Sequence, residues 1–113
     1  MSSPDATLDL PASIAAYIAA ANRRDAAAAA RCFTARAVVR DEGQTIEGRA
    51  QIARWVAETG RKYGHTIEPL AVAREGGRVV VTNRLTGNFP GSPIEVRFYL
   101  GLDGDEIATL EIR

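Results

Sequence analysis

Two stretches of the chain decide its fold: YIAAANRRD at residues 17–25 and CFTARAVVRD at residues 32–41. Together they predict a helix, a short break, a second helix and a strand that ends in an acid. Apolar side chains recur at helical spacing through the first stretch and fall on one face, at Ile14, Tyr17, Ile18 and Ala21. The second stretch closes with an apolar run that predicts a strand over residues 37–41.

Acids and a proline indicate where the first two helices begin. Asp9 and Pro11 predict the start of the first helix, because an acid caps helix N-termini and proline suits the first turn. Asp25 is expected to cap the second helix, which is predicted to run to about Phe33. Residues 1 to about 8 are polar and are expected to be disordered.

The remainder of the chain predicts one more helix and then strands. Gly48 opens the helix, Gly60 or Gly64 ends it, and its apolar stripe consists of Ile52, Trp55, Val56 and Thr59. Tight turns then separate predicted strands at residues 65–74, 78–88, 94–102 and 106–112. Helices first and strands last predict a single α+β domain over residues 1–113, with three helices packed on one face of an antiparallel sheet.

Composition excludes several classes of function. The 113 residues carry 14 basic and 14 acidic side chains, which argues against a nucleic-acid partner. One cysteine and one histidine make a zinc site untenable, and no apolar run is long enough for a membrane helix. The sequence has no signal-peptide pattern, so we expect a cytoplasmic protein. It also has no glycine-rich phosphate-binding loop and no Ser-His-Asp order of catalytic residues, and we expect neither a metal nor a cofactor.

Tyr17 and Asp41 are the candidate catalytic pair. A phenol opposite a carboxylate is the minimal equipment for moving a proton on a small carbon acid. Two alternatives stay open at this point. Asp41 is also placed to cap the turn through Gly43, and Tyr17 lies on an apolar helix face where core tyrosines are common. Because Val39 and Asp41 share one strand face, an inward Asp41 requires an inward Val39.

Five other residues are candidate ligand contacts: Phe33, Trp55, His65, Asn83 and Phe98. Packing periodicity favours core positions for Phe33 and Trp55, with a pocket wall as the alternative. His65 titrates near neutral pH, but it also fits a surface position between a helix and a strand. Asn83 shares a strand face with valines, so it either lines a cavity or satisfies its amide internally.

The chain resembles the nuclear transport factor 2-like superfamily, in its SnoaL-like and ketosteroid-isomerase-like branch. The resemblance covers about residues 11–112 and is carried by Tyr17, Asn22 to Ala26, Phe33, the valines before Asp41, Ile46 to Arg49, Ile52 and Trp55. It implies a cone-shaped, cystatin-like roll. It also implies a homodimer that associates through the outer face of the sheet. Members of the superfamily include isomerases, cyclases, dehydratases and non-catalytic binding domains.

The resemblance places Tyr17 and Asp41 at the positions of the tyrosine and the aspartate base of ketosteroid isomerases. Those enzymes keep a second acid on the penultimate strand, and the corresponding residues between Val96 and Tyr99 include none. We therefore expect an apolar small-molecule ligand and cofactor-free proton transfer next to a carbonyl, without authentic steroid isomerisation. The alternative is a non-catalytic domain of the same fold that binds a ligand or only forms a dimer.

Overall fold

The computed structural model describes residues 8–113, so the predicted disorder of the first residues lies outside the described part. Three helices come first and strands dominate the rest. In chain order the elements are α1 Ala12–Asn22, α2 Ala26–Arg31, β1 Phe33–Asp41, β2 Gln44–Glu47, α3 Gly48–Tyr63, β3 Thr66–Glu75, β4 Arg78–Thr86, β5 Ile94–Asp103 and β6 Glu106–Ile112. The predicted α+β class is confirmed, and the predicted strands after α3 agree with the observed ones within two residues.

The observed N-termini of α2 and α3 agree with the residues predicted from the sequence, whereas that of α1 does not. Asp25 caps α2 as predicted, because its carboxylate accepts a hydrogen bond from the amide of Ala28 at 3.0 Å. The prediction that Asp9 caps α1 is wrong. Pro11 itself occupies the capping position, which leaves Asp9 outside the first turn, and no side chain within residues 8–113 caps this helix.

The second helix is shorter than predicted. It ends at Arg31, and β1 already begins at Phe33, where pairing with Ile107 of β6 takes over. The apolar run of alanines favours helix, but backbone pairing with a distant strand outweighs that local preference. At the far end of α3, Gly64 adopts the left-handed conformation of a helix cap, with φ of 54°, as the sequence predicts.

The six strands form one sheet in the order β2-β1-β6-β5-β4-β3. Four of its neighbouring pairs are antiparallel, whereas β1 and β6 run parallel. The parallel pair was not expected, because alternation along a strand does not reveal the direction of its neighbour. Register shifts interrupt three of the pairs, and such bulges bend a sheet towards the helices that cover it.

The core lies between the helices and the inner sheet face. Ile14 of α1 and Ile52 of α3 are fully buried there, together with Phe33, Val39 and Leu100. Burial of Val39 satisfies the condition for an inward Asp41, since the two side chains share a strand face. The cavity described below also lies between helices α1 and α3 and this face of the sheet.

Asn22 attaches the end of α1 to the edge strand β3. Its side-chain nitrogen donates to the carbonyl of Ile67 at 2.9 Å, and its side-chain oxygen accepts from the amide of Ile67 at 2.8 Å. Both backbone groups lie on the edge of β3 with which no other described strand pairs. In the described part of the chain, no helix is both long and apolar enough to span a membrane.

Candidate functional site

A cavity of about 560 Å³ opens between α1, α3 and the inner face of the sheet. Its size is typical of small-molecule sites. Most of its wall is apolar, with contributions from Val56, Ile67, Leu85, Ile94, Val96 and Ile112. A few polar side chains interrupt this wall, and they decide what chemistry the cavity can support.

Asp41 lines the cavity from the end of β1. Its carboxylate accepts a hydrogen bond from Nε1 of Trp55 at 3.1 Å, so the side chain is held against α3 and not against the turn. Glu42 and Gly43 form that turn through their own positive φ angles of 53° and 77°. Burial raises the pKa of Asp41, and the nearby Glu42 raises it further, while the Trp55 hydrogen bond partly opposes both. The result is a more basic carboxylate than one in water.

Tyr17 contributes a phenol to the same cavity. Its ring packs edge-on against Phe33 with centroids 5.2 Å apart, and it also contacts Phe98 at 6.4 Å. No other described residue forms a hydrogen bond with its hydroxyl group. Burial is the main cause that raises the pKa of Tyr17, and the charges of Asp41 and Cys32 add to it. The phenol therefore stays protonated and keeps a hydrogen to donate.

Trp55 and Phe98 both line the cavity. Trp55 is half-buried and uses its indole nitrogen to orient Asp41, which extends the packing role that its periodicity predicts. Phe98 is almost fully buried and forms part of the floor behind Tyr17. An apolar ring thus stands on the strand where ketosteroid isomerases carry their second acid.

Two predicted ligand contacts do not line the cavity. Phe33 is fully buried behind Tyr17, at the start of β1, and packs in the core. Asn83 is also fully buried and lies outside the cavity wall. Its amide nitrogen reaches the carbonyl of Val81 at a long 3.4 Å, and its side-chain oxygen has no partner among the described residues.

His65 lies in the cavity wall just before β3 and is half-buried, which does not fit an open surface position. Its Nδ1 atom is buried without a hydrogen-bond partner in the described part of the chain. Burial lowers the pKa of His65, and the positive charge of Arg24 lowers it further. The imidazole is therefore neutral at physiological pH.

Three residues at the mouth were not predicted: Arg24, Glu42 and Tyr63. Tyr63 donates a hydrogen bond from its hydroxyl group to Glu42 at 3.0 Å, which joins the end of α3 to the β1–β2 turn. Its ring packs edge-on against Phe89 at 5.9 Å, so it also contacts the loop before β5. These residues come from separate turns and helix ends, and only the register of the sheet brings them together. The sequence offers no local signal for that.

The described residues favour proton transfer over metal or thiol chemistry. No group of three or more potential metal-binding side chains occurs between residues 8 and 113. Burial raises the pKa of Cys32, whose sulfur donates weakly to the carbonyl of Ala28, so the thiol is not activated as a nucleophile. Asp41 and Tyr17 in contrast place an acceptor and a donor of protons in one apolar space.

Comparison with known proteins gives consistent matches over nearly the whole chain. The family model for the SnoaL-like domain matches residues 14–109. A provisionally assigned polyketide cyclase from Sinorhizobium meliloti is 32% identical, with a TM-score of 0.88, and the match covers 93% of this chain and 96% of that one.

Two further solved structures share the fold. A Catenulispora acidiphila protein with a ketosteroid isomerase-like fold, solved in complex with trimethylamine, is 25% identical with a TM-score of 0.79, over 91% of this chain and 85% of that one. A cystatin-fold protein from Novosphingobium aromaticivorans has a TM-score of 0.74 at 20% identity, over 90% and 95% of the two chains. No functionally curated protein matches the chain.

Proposed function

The chain belongs to the SnoaL-like domain family, and from that membership we propose that it binds an apolar carbonyl compound and moves a proton on the carbon next to the carbonyl group. One observation carries the proposal: the carboxylate of Asp41, made more basic by burial, shares an apolar cavity with the phenol of Tyr17, which has no hydrogen-bond partner among the described residues. The relative assigned provisionally as a polyketide cyclase supports this class of substrate.

In the proposed reaction, a carboxylate oxygen of Asp41 takes the proton from the carbon next to the carbonyl group. The C–H electron pair forms a carbon–carbon double bond, and the carbonyl π electrons move to oxygen. Tyr17 donates a hydrogen bond to this enolate oxygen. Protonated Asp41 then returns the proton to the same carbon or to a conjugated one, so the step needs no cofactor.

The proposed substrate is more acidic than a steroid ketone. Ketosteroid isomerases stabilise the enolate with both a tyrosine and a protonated aspartic acid. Here Phe98 occupies the strand of the second acid and offers no hydrogen bond. Because one donor stabilises an enolate less than two, the cavity suits carbon acids whose proton lies beside two carbonyl groups.

Hydrogen exchange tests the proposal without knowledge of the natural substrate. A panel of apolar ketones and 1,3-dicarbonyl compounds is incubated with the protein in D₂O, and loss of the α-proton signal is followed by NMR. We expect Asp41→Asn to slow protein-catalysed exchange by about a hundredfold or more. Tyr17→Phe should slow it by about a hundredfold, since it removes the enolate donor.

Asp103→Asn is the matched control for this experiment. Asp103 also ends a strand, but it is exposed and does not line the cavity, so exchange should match the wild type. Exchange that is equally fast in Asp41→Asn would remove Asp41 from the mechanism. The melting temperature of each variant shows whether the fold is retained.

A non-catalytic binding domain is the second candidate function. It is favoured by the lack of a second acid between Val96 and Tyr99 on β5, and by the neighbouring structure solved with trimethylamine. In that case Asp41 and Glu42 would attract an amine at the mouth. Trp55 is the only tryptophan in the chain, so its fluorescence reports ligands in the cavity directly. Quenching by trimethylamine together with no exchange in any ketone would favour this alternative.

We also propose that the protein is a cytoplasmic homodimer that associates through the outer face of the sheet. Cys32 has no second cysteine with which to form an intrachain disulfide, which supports a reducing compartment. The outer face carries exposed charges of both signs, among them Glu95, Arg97 and Arg84. In a dimer with a twofold axis, the same face of both protomers meets. Positive side chains of one protomer can then lie against negative side chains of its partner.

A further inference from the structure

We propose that the ligand carries a carboxylate group, and that Arg24 at the mouth of the cavity binds it together with Nε2 of His65. This inference rests on the proposed function and narrows its substrate class to apolar carbonyl compounds that also carry a carboxylate. Its basis is the position of Arg24 in the structure, which no sequence pattern indicates.

The backbone holds Arg24 in an unusual conformation. Arg24 follows the end of α1 and has a φ of 63°, a region that glycine or asparagine usually occupies after a helix. Side chains with a Cβ atom are strained there, and such strain concentrates at functional positions. The conformation of the turn therefore does not explain why an arginine occupies this position.

The guanidinium group is fixed by the backbone of two other segments. Nη2 donates to the carbonyl of His65 at 2.6 Å, and Nη1 donates to the carbonyl of Ala21 at 3.4 Å. The side chain also packs over α3 at Gly60, where a Cβ atom would lie 3.5 Å from Cδ of Arg24. A guanidinium group has five N–H donors, so most of them remain available in an orientation that is already set.

Arg24 has no ionic partner within residues 8–113, whereas Arg113, the other arginine that lines the cavity, pairs with Glu111 at 3.1 Å. Asp41 and Glu42 form no ion pair in this range either, but each accepts a hydrogen bond from a neutral side chain, Asp41 from Trp55 and Glu42 from Tyr63. A fixed cation beside an apolar cavity is suited to a carboxylate, which guanidinium groups bind through paired hydrogen bonds.

His65 supplies a second donor beside Arg24. Its Nδ1 atom is buried without a partner in the described part of the chain, and the residue lines the cavity. A neutral imidazole carries one N–H, and placing it on Nε2 avoids an unsatisfied donor on the buried Nδ1. The Arg24 charge helps to keep this imidazole neutral. A carboxylate at the mouth can then accept hydrogen bonds from both residues.

Side chains of both charges thus line the cavity, with Asp41 and Glu42 as the acids and Arg24 as a cation. In the proposed complex, Arg24 and His65 bind the carboxylate of the ligand. The apolar wall then accommodates the hydrocarbon segment, and the carbonyl group lies near Tyr17.

A matched pair of ligands tests the inference. We would titrate the protein with 4-oxodecanoate and with its methyl ester, and follow Trp55 fluorescence at low and at high salt. The acid should bind at least tenfold more tightly than the ester at low salt, and added salt should reduce the difference. In Arg24→Asn the acid should lose about tenfold in affinity, while the ester should bind as in the wild type. Asparagine tolerates the backbone conformation at this position, so the variant should fold.

Arg61→Gln is the control, because Arg61 is an exposed arginine on α3 that does not line the cavity. Its affinity for both ligands should match that of the wild type. Equal binding of acid and ester, or an equal loss of both in Arg24→Asn, would overturn the inference while leaving the proposed function intact. If neither ligand binds but Asp41-dependent exchange is seen with other ketones, this inference alone fails. Failure of both binding and exchange would reject the proposed function itself.

Discussion

At the scale of single residues, the basicity of Asp41 results from opposing effects. The cavity wall withdraws its carboxylate from water, which favours the protonated form, and Glu42 acts in the same direction. Trp55 donates a hydrogen bond to the ionised form and so restrains the rise in pKa. A general base must be ionised at the working pH and must still bind the transferred proton tightly. The opposing effects on the pKa of Asp41 meet both requirements.

Replacing Trp55 should disturb that balance in one direction. Trp55→Phe keeps an aromatic ring but removes the donor, so the pKa of Asp41 should rise further. The acid limb of the pH dependence of α-proton exchange should then move to higher pH. A limb that stays in place or moves to lower pH would show that the indole nitrogen does not stabilise the carboxylate.

The same raised pKa determines how Asp41 contributes to stability. A carboxyl group with a higher pKa in the folded state contributes stability that is fully present below its unfolded pKa and is lost as pH rises through the folded pKa. At neutral pH the ionised, half-buried Asp41 therefore gives no such stabilisation. Asp41→Asn should melt at the wild-type temperature or slightly above it at pH 7, measured by thermal denaturation.

Sequence reasoning at this scale reached some residues of the cavity and not others. Strict alternation along a strand links the directions of Val39 and Asp41, and the structure has Val39 buried and Asp41 in the cavity wall. For Phe33 the sequence left a core position and a ligand contact open, since apolar character does not distinguish a ligand contact from the core behind it. Arg24 could not be found, because its reach to the carbonyl of His65 depends on the packing of α1 against β3.

At the scale of elements, Asn22 is the clearest contact between a helix and an unpaired strand edge. It satisfies both the amide and the carbonyl of Ile67. Unpaired edges invite association with other chains, so the contact also protects β3.

The bounds of α3 and β6 follow from periodicity and glycine positions. The early start of β1 and its parallel partner do not, because both depend on residues far along the chain.

Asn22→Ala should destabilise the protein by about 1–3 kcal/mol, since it leaves two part-buried backbone groups without partners. Chemical denaturation monitored by circular dichroism would measure this loss. Asn88→Ala is a suitable control, because Asn88 is exposed in a loop. Equal stability of Asn22→Ala and the wild type would mean that water replaces the side chain at no net penalty.

At the scale of the whole molecule, the curved sheet has two faces with different uses. The inner face encloses the core and the cavity. On the outer face Tyr99 is nearly buried, with the guanidinium of Arg113 4.2 Å and that of Arg78 5.0 Å from its ring centre. These cation–π contacts order the arginines, and an ordered surface loses less entropy when it associates.

Sedimentation equilibrium should accordingly give a dimer at micromolar concentration. Arg97→Glu reverses one charge on the outer face and should shift the equilibrium towards monomer. Arg54→Glu changes the same charge on the exposed side of α3 and should leave the dimer intact. A monomeric wild type, or equal effects of the two substitutions, would exclude the sheet face as the interface.

The parallel pairing of β1 with β6 has a consequence for how the protein is made. Val39 pairs with Leu110, so the strand that carries Asp41 gains one of its two neighbours from near the far end of the described chain. Contacts between distant parts of a chain form late, because closing a long loop is entropically unfavourable. On the ribosome, helices α1 to α3 can form well before β6 emerges. The cavity therefore acquires the wall that carries its base only in the last stage of folding.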